Sequence, residues 1–134
     1  MNSVTTAEAP VLERAADAPM LAQVERWAAV NSGTGNLAGL KAVAGQLADA
    51  FSALPGEVRL VAADPVESVD AAGKVNIIQR GDHLHLRVRP EAPVQLLLTG
   101  HMDTVFAADH PFQTLKWLEP GVLNGPGTAD MKAG

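Results

Sequence analysis

The chain has no cysteine. Disulfides, a thiolate nucleophile and cysteine-ligated zinc are therefore excluded, and any metal must bind through histidine, aspartate or glutamate. No basic run interrupts the sequence, and the net charge of −5 argues against a phosphate backbone or an anionic lipid surface as partner. The opening stretch MNSVTTAEAPVLERAADAPM lacks a basic region followed by an apolar core, so no secretory signal is expected. Apolar runs fall well short of a membrane span. The lack of cysteine fits a cytoplasmic protein. No Gly-x-Ser-x-Gly elbow occurs, so a serine hydrolase has no nucleophile here. Nor is there a P-loop, because Met131 precedes Lys132 where glycine is needed and Ala133 follows where serine or threonine is needed.

What is present suits a packed domain. Hydrophobic residues make up 47% and charged residues 19%, a balance that favours a folded core over a disordered tail. A length of 134 residues bounds the chain to one domain or a piece of one. No internal repeat or low-complexity tract is visible.

Residues 1–18 are alanine-rich and polar without a clear period, and read as an arm or a weak first helix. Leu21, Val24, Trp27, Ala28 and Val30 then recur at helical spacing and predict an amphipathic helix over 18–30. NSGTGN, at 31–36, interrupts it: Gly33 and Gly35 break the helix and Asn36 can cap the next. Leu37, Leu40, Val43, Ala44, Leu47, Ala50, Phe51 and Leu54 form a second helical stripe, stopped at LPG. Residues 57–63, 74–80 and 83–89 alternate with a period of two, and the last two are expected to pair as a hairpin across Gly81–Asp82. Residues 94–100, VQLLLTG, do not alternate, as expected of a strand covered on both faces. LKWLEPGVLNG suggests two short strands around EPG, and ADMKAG should open a further helix. The order of elements predicts the opening of a three-layer α/β domain.

Two polar clusters carry possible chemistry. In open α/β sheets ligands sit beyond the carboxyl ends of the strands, where the expected strand 94–100 would deliver His101. Asp103, two residues on, can accept the other ring N–H, fixing the tautomer and raising basicity. On the tripeptide alone, a loop histidine and a turn aspartate without a role remain the competing reading. The second cluster is GPGTADMKAG: glycines allow close backbone approach, and a carboxylate at Asp130 has one oxygen for each of two divalent ions. A simple helix N-cap at Asp130 is the alternative.

Taken together, GHMDTV, then PF, a tryptophan and LNGPGTADMKAG resemble the M20 metallopeptidases. These include glutamate carboxypeptidases, acetylornithine and succinyl-diaminopimelate deacylases, and aminoacylases. The phrasing leans toward the glutamate carboxypeptidase branch. The resemblance runs from about Leu21 onward and is strong over 96–134. It implies a three-layer α/β/α zinc-peptidase-like catalytic domain with a mixed sheet, of which residues 19–134 would be the N-terminal portion. It also implies two divalent metal ions, usually zinc, with cobalt or manganese as alternatives. His101 maps to a metal ligand, Asp130 to the metal bridge, and Asp103 to the catalytic carboxylate that orients His101. In relatives the peptide after the bridging aspartate is often cis, which points to Asp130–Met131.

The family's general base, its remaining metal ligands and its dimerisation domain would all lie beyond Gly134. The chain is therefore expected to be an N-terminal fragment, inactive alone, of an enzyme that cleaves small peptides or N-acyl amino acids and works as a homodimer. A truncated, non-catalytic relative that binds a metal or a partner is the competing reading.

Other residues are expected to have ordinary roles. His83 and His85 could bind a metal as a His-x-His pair, but a solvated face beside Arg87 and Arg89 is the simpler reading. His110 is expected at the surface and Trp27 in the core. Ser32 and Thr34 read as part of a helix-breaking turn, not a phosphate cradle, since no strand precedes them. Lys132 is expected either to neutralise the acidic site or to salt-bridge to a neighbour.

Overall fold

The computed structural model describes residues 5–133. Residues 1–4 of the expected N-terminal arm, and Gly134, lie outside the described residues. Helices and strands coexist, as the alternating sequence periods predict. Helix α1 spans Ala9–Ala16, α2 Met20–Ala28 and α3 Leu37–Phe51. The strands are β1 Glu57–Val61, β2 Val66–Val69, β3 Val75–Ile78, β4 His83–Arg87, β5 Lys116–Glu119 and β6 Val122–Asn124.

Helix α1 is short and buries none of its residues, the weak first helix its irregular pattern implies. Helix α3 is the best supported of the three. Asn36 caps it, its side-chain oxygen accepting from the Gly39 backbone N–H at 3.0 Å. Leu40, Val43 and Ala44 are buried along one face, and the helix packs on β1 and β4. With Ala28 of α2, these side chains are the buried apolar core of the described residues. Leu47 and Ala50 are half-buried, while Leu37, Phe51 and Leu54 are exposed, so the buried part of the stripe is shorter than its sequence pattern. Trp27, expected in the core, is half-buried.

The strands pair as three antiparallel couples, β1 with β4, β2 with β3, and β5 with β6. The mixed sheet expected from the sequence is absent among the described residues, where the parallel contact is an isolated bridge between Gly33 and Thr104. The expected hairpin across Gly81–Asp82 does not form either. Instead β4 reaches back to β1 in the register Arg59 to His85, and β3 turns onto β2. Asp70 explains the preference: its carboxylate accepts from the Ala72 and Lys74 backbone N–H groups, and Gly73 takes a φ of +79°. That closes a tight turn which β2 and β3 flank directly. Leu84 and Leu86 of β4 turn toward α3 and are half-buried, with His83, His85 and Arg87 on the outer face as the alternation predicts.

The largest departure is at 94–100. No strand forms, and Leu96, Leu97 and Leu98 are 87%, 87% and 91% exposed. A two-sided apolar strand is stable only with neighbours on both edges and both faces. The three couples each keep open outer edges, but among the described residues none of them pairs with this segment. The β5–β6 pair around EPG forms as expected, with Gly121 at φ +85°. No helix opens at 129–133, where the chain continues in turns: the Lys132 backbone N–H bonds to the Gly127 carbonyl at 2.8 Å, five residues back, where a helix would use the fourth.

Candidate metal centre

The turn at 30–36 is the keel on which the polar loops are mounted. Ser32 is fully buried, and its hydroxyl donates to the Met102 carbonyl at 2.7 Å. Its own carbonyl accepts from the Thr104 N–H at 2.9 Å, and the Thr34 N–H donates to the Thr104 carbonyl at 3.1 Å. The Asn31 amide donates to the Phe106 carbonyl and to Gln113 Oε1, at 3.0 and 2.8 Å. Gly33 lies so close to the Phe106 carbonyl that a β-carbon would collide with it. Residues 101–106 are thus held without belonging to a sheet.

A second loop is pinned to the same turn. Lys132 is buried, and its ammonium donates to the Val30 carbonyl at 2.6 Å, just past the end of α2. Burial pulls its pKa below the ordinary lysine value. The side chain lies along Gly127, whose φ of +80° and close approach leave no room for a β-carbon. Neither role expected of Lys132 is observed: no carboxylate among the described residues pairs with it. Met131 closes the gap to the first loop, its sulfur receiving the His101 backbone N–H at 3.4 Å. The Asp130–Met131 peptide is cis, the isomer anticipated there.

The three residues singled out in the sequence meet where these loops converge. His101 Nδ1 lies 3.1 Å from Asp103 Oδ1 and 3.0 Å from the Asp103 carbonyl. Its Nε2 lies 3.0 Å from Asp130 Oδ1. The second oxygen of Asp103 accepts from the Thr34 hydroxyl at 2.5 Å, within the range of a charge-assisted O–H···O bond. Carboxylates only accept, so an imidazole facing one on each side needs an N–H at both nitrogens. The hydrogen bond to Asp130 accordingly lifts the His101 pKa above its ordinary value; desolvation works against this, and Asp103 adds to it.

Asp130 is 80% exposed and makes no other hydrogen bond among the described residues, leaving its second oxygen open. A cavity of about 380 Å³ opens beside the cluster, with His101, Asp103, Asp130, Phe106 and Phe112 among its lining residues. The two phenylalanine rings meet edge to face at 4.9 Å. Thr104, also at the cavity, is buried with a hydroxyl that has no partner among the described residues.

His83 and His85 stack at 6.2 Å on the exposed face of β4 and form no ion pair among the described residues, as a solvated face would have them. His110 is exposed, its Nδ1 accepting from the Phe112 N–H at 3.0 Å. Ser32 and Thr34 do more than break a helix. They fix the backbone under His101 and the carboxylate beside it, a role with no local signature because their partners lie 70 and 69 residues away. No group of three or more histidine, aspartate or glutamate side chains disposed around a common metal position occurs among the described residues.

Compared with protein families, with curated proteins and with solved structures, the chain has no match in any of the three.

Proposed function

We propose that His101 and Asp130 are ligands of a divalent-metal centre, with Asp103 orienting the imidazole, in a hydrolase of peptide or N-acyl amide bonds. The observation that carries this is the 3.0 Å approach of His101 Nε2 to Asp130 Oδ1. One ion bonded to both at about 2.0–2.2 Å would hold those atoms roughly 3–3.5 Å apart, so the donor pair fits with little adjustment. In the metal-free protein the second proton of the charged ring, on Nε2, occupies the position the ion would take. The resemblance of the two motifs to M20 metallopeptidases supplies the reaction class. It also supplies the number of ions, two, with zinc favoured and cobalt or manganese as alternatives.

The residues divide the task as follows. His101 offers Nε2 while Asp103 holds Nδ1–H, keeping the ring neutral and correctly turned when it ligates. Asp130 presents one oxygen toward His101, and its other oxygen would be available to a metal ion. A divalent ion bound by these residues would supply carbonyl polarisation and acidified water. Phe106 and Phe112 give the cavity an apolar part of its lining. The substrate class is a small peptide or N-acyl amino acid carrying a free carboxylate, with a C-terminal glutamate as the leading case. This reading includes a three-layer α/β/α catalytic domain, to which α3 on β1 and β4 would contribute one helix-on-sheet face, a homodimer as the working enzyme and a cytoplasmic setting.

Zinc titration of the chain tests the centre. Two side-chain ligands predict weak binding, since catalytic zinc normally has about three protein ligands. His101→Ala and Asp130→Asn should each abolish it; unchanged binding in both variants would refute the assignment. The second reading is a non-catalytic relative that binds a metal or a partner. Amide hydrolysis by a form of the protein with a completed ligand set separates the two.

A further inference from the structure

We propose that Thr34 is a positioning residue for the metal centre, holding Asp103 so that Asp103 can hold His101. This rests on the reading of His101 as a metal ligand. The geometry is a three-step relay: the Thr34 hydroxyl donates to Asp103 Oδ2, Asp103 Oδ1 faces His101 Nδ1 at 3.1 Å, and His101 Nε2 faces the metal position. Each oxygen of the carboxylate therefore has one fixed partner, and the carboxylate plane cannot rotate without breaking one of the two bonds.

The alternative acceptor for the hydroxyl, the Thr104 carbonyl, lies at 3.4 Å and is already taken by the Thr34 N–H. The backbone of Thr34 is locked to Thr104 by that same N–H and by the neighbouring Gly33–Thr104 bridge. The hydroxyl is thus presented from a rigid platform. Without it, Asp103, about one-third exposed, is free to turn Oδ2 to water and let the ring rotate. A methyl in place of the hydroxyl preserves shape and removes the donor, while serine preserves the donor and removes the methyl.

The test compares Thr34→Val and Thr34→Ser with the wild-type chain, all checked for folding by circular dichroism, and with His101→Ala. Two quantities are read. One is zinc affinity. The other is the neutral tautomer of His101 in metal-free protein, from ring nitrogen-15 shifts at a pH where the ring is uncharged. Wild type should carry its proton on Nδ1. Thr34→Val should shift protons toward Nε2 and weaken zinc binding about tenfold, and Thr34→Ser should match wild type in both. A folded Thr34→Val with wild-type tautomer and affinity overturns the proposal, as does a Thr34→Ser that behaves like valine. Should the valine variant fail to fold, the serine variant decides alone: the wild-type tautomer supports the relay and an altered one overturns it. Loss of zinc binding in His101→Ala without change in Thr34→Val keeps the metal centre and removes Thr34 from it. A tautomer shift in a chain that binds no zinc does the reverse.

Discussion

His101 and Asp130 stand 29 residues apart in the chain, and their Nε2 and Oδ1 atoms stand 3.0 Å apart in the structure. Asp103 occupies the opposite edge of the same ring. A carboxylate on each ring nitrogen suits a proton in the metal-free protein and a dication in the loaded one, and the two compete for Nε2.

The 134-residue chain supplied with zinc should release no amine above background from N-acyl amino acids or from dipeptides ending in glutamate. Among the described residues no glutamate lines the cavity, and both aspartates that do are hydrogen-bonded to His101. Turnover that disappears in His101→Ala would contradict this expectation.

Stability of the metal-free chain should decline on the alkaline side because of His101. Its folded pKa is raised, chiefly by the hydrogen bond to Asp130. The group therefore stabilises fully below its unfolded pKa of about 6.5, and loses that contribution as pH rises through the higher folded value. Urea midpoints measured in chelator from about pH 6 upward should fall more in wild type than in His101→Asn. Parallel profiles would show that the ring is not held as described.

Two glycines of α3 should respond to alanine with opposite signs. Gly45 has open space where a β-carbon would go, so Gly45→Ala should stabilise by about 0.5–1 kcal/mol. At Gly39 a β-carbon would collide with the Asn31 carbonyl oxygen. Gly39→Ala should therefore destabilise by about 1–3 kcal/mol despite the better helix former, and should disturb the Asn31 bonds that support Phe106 and Gln113. Thermal melts of the two variants give the comparison.

The leucine run is expected to govern solubility and not folding. Leu97 is 87% exposed, so Leu97→Lys should leave the unfolding free energy within about 0.5 kcal/mol of wild type while lowering light scattering on concentration. A large loss of stability would mean that Leu97 packs in solution.

Elements specified by neighbouring residues were legible in the sequence: the helical stripe of α3 with its Asn36 cap, and the strands either side of Glu119-Pro120-Gly121. Pairings between distant strands were not. Gly81–Asp82 carries a generic hairpin signal, yet the Asp70–Gly73 turn makes the tighter connection, and β4 is left to find β1. The spacing Asp70 to Gly73 was the signal that could have been read. Residues 94–100 misled because composition reports a preference for burial, while burial itself needs neighbours that the described residues do not provide. At the candidate site, the structure brings together His101, Asp103 and Asp130, which the two motifs singled out. The contacts of Ser32, Thr34 and Lys132 were not legible, since a hydroxyl or an ammonium bonded to a remote backbone leaves no periodic trace.

The turn at 30–36 decides when the centre comes into being. Every group that would touch a ligand lies after Gly100, but the struts beneath them reach back 70 residues from Met102 to Ser32 and 102 from Lys132 to Val30. A synthetic peptide covering 94–134 would possess the imidazole, both aspartates and both phenylalanine rings, and would have nothing to fix their spacing. Closing such long loops is among the slower steps available to a small domain. Affinity for a dication should therefore emerge together with the packing of α3, and vanish at the same denaturant concentration.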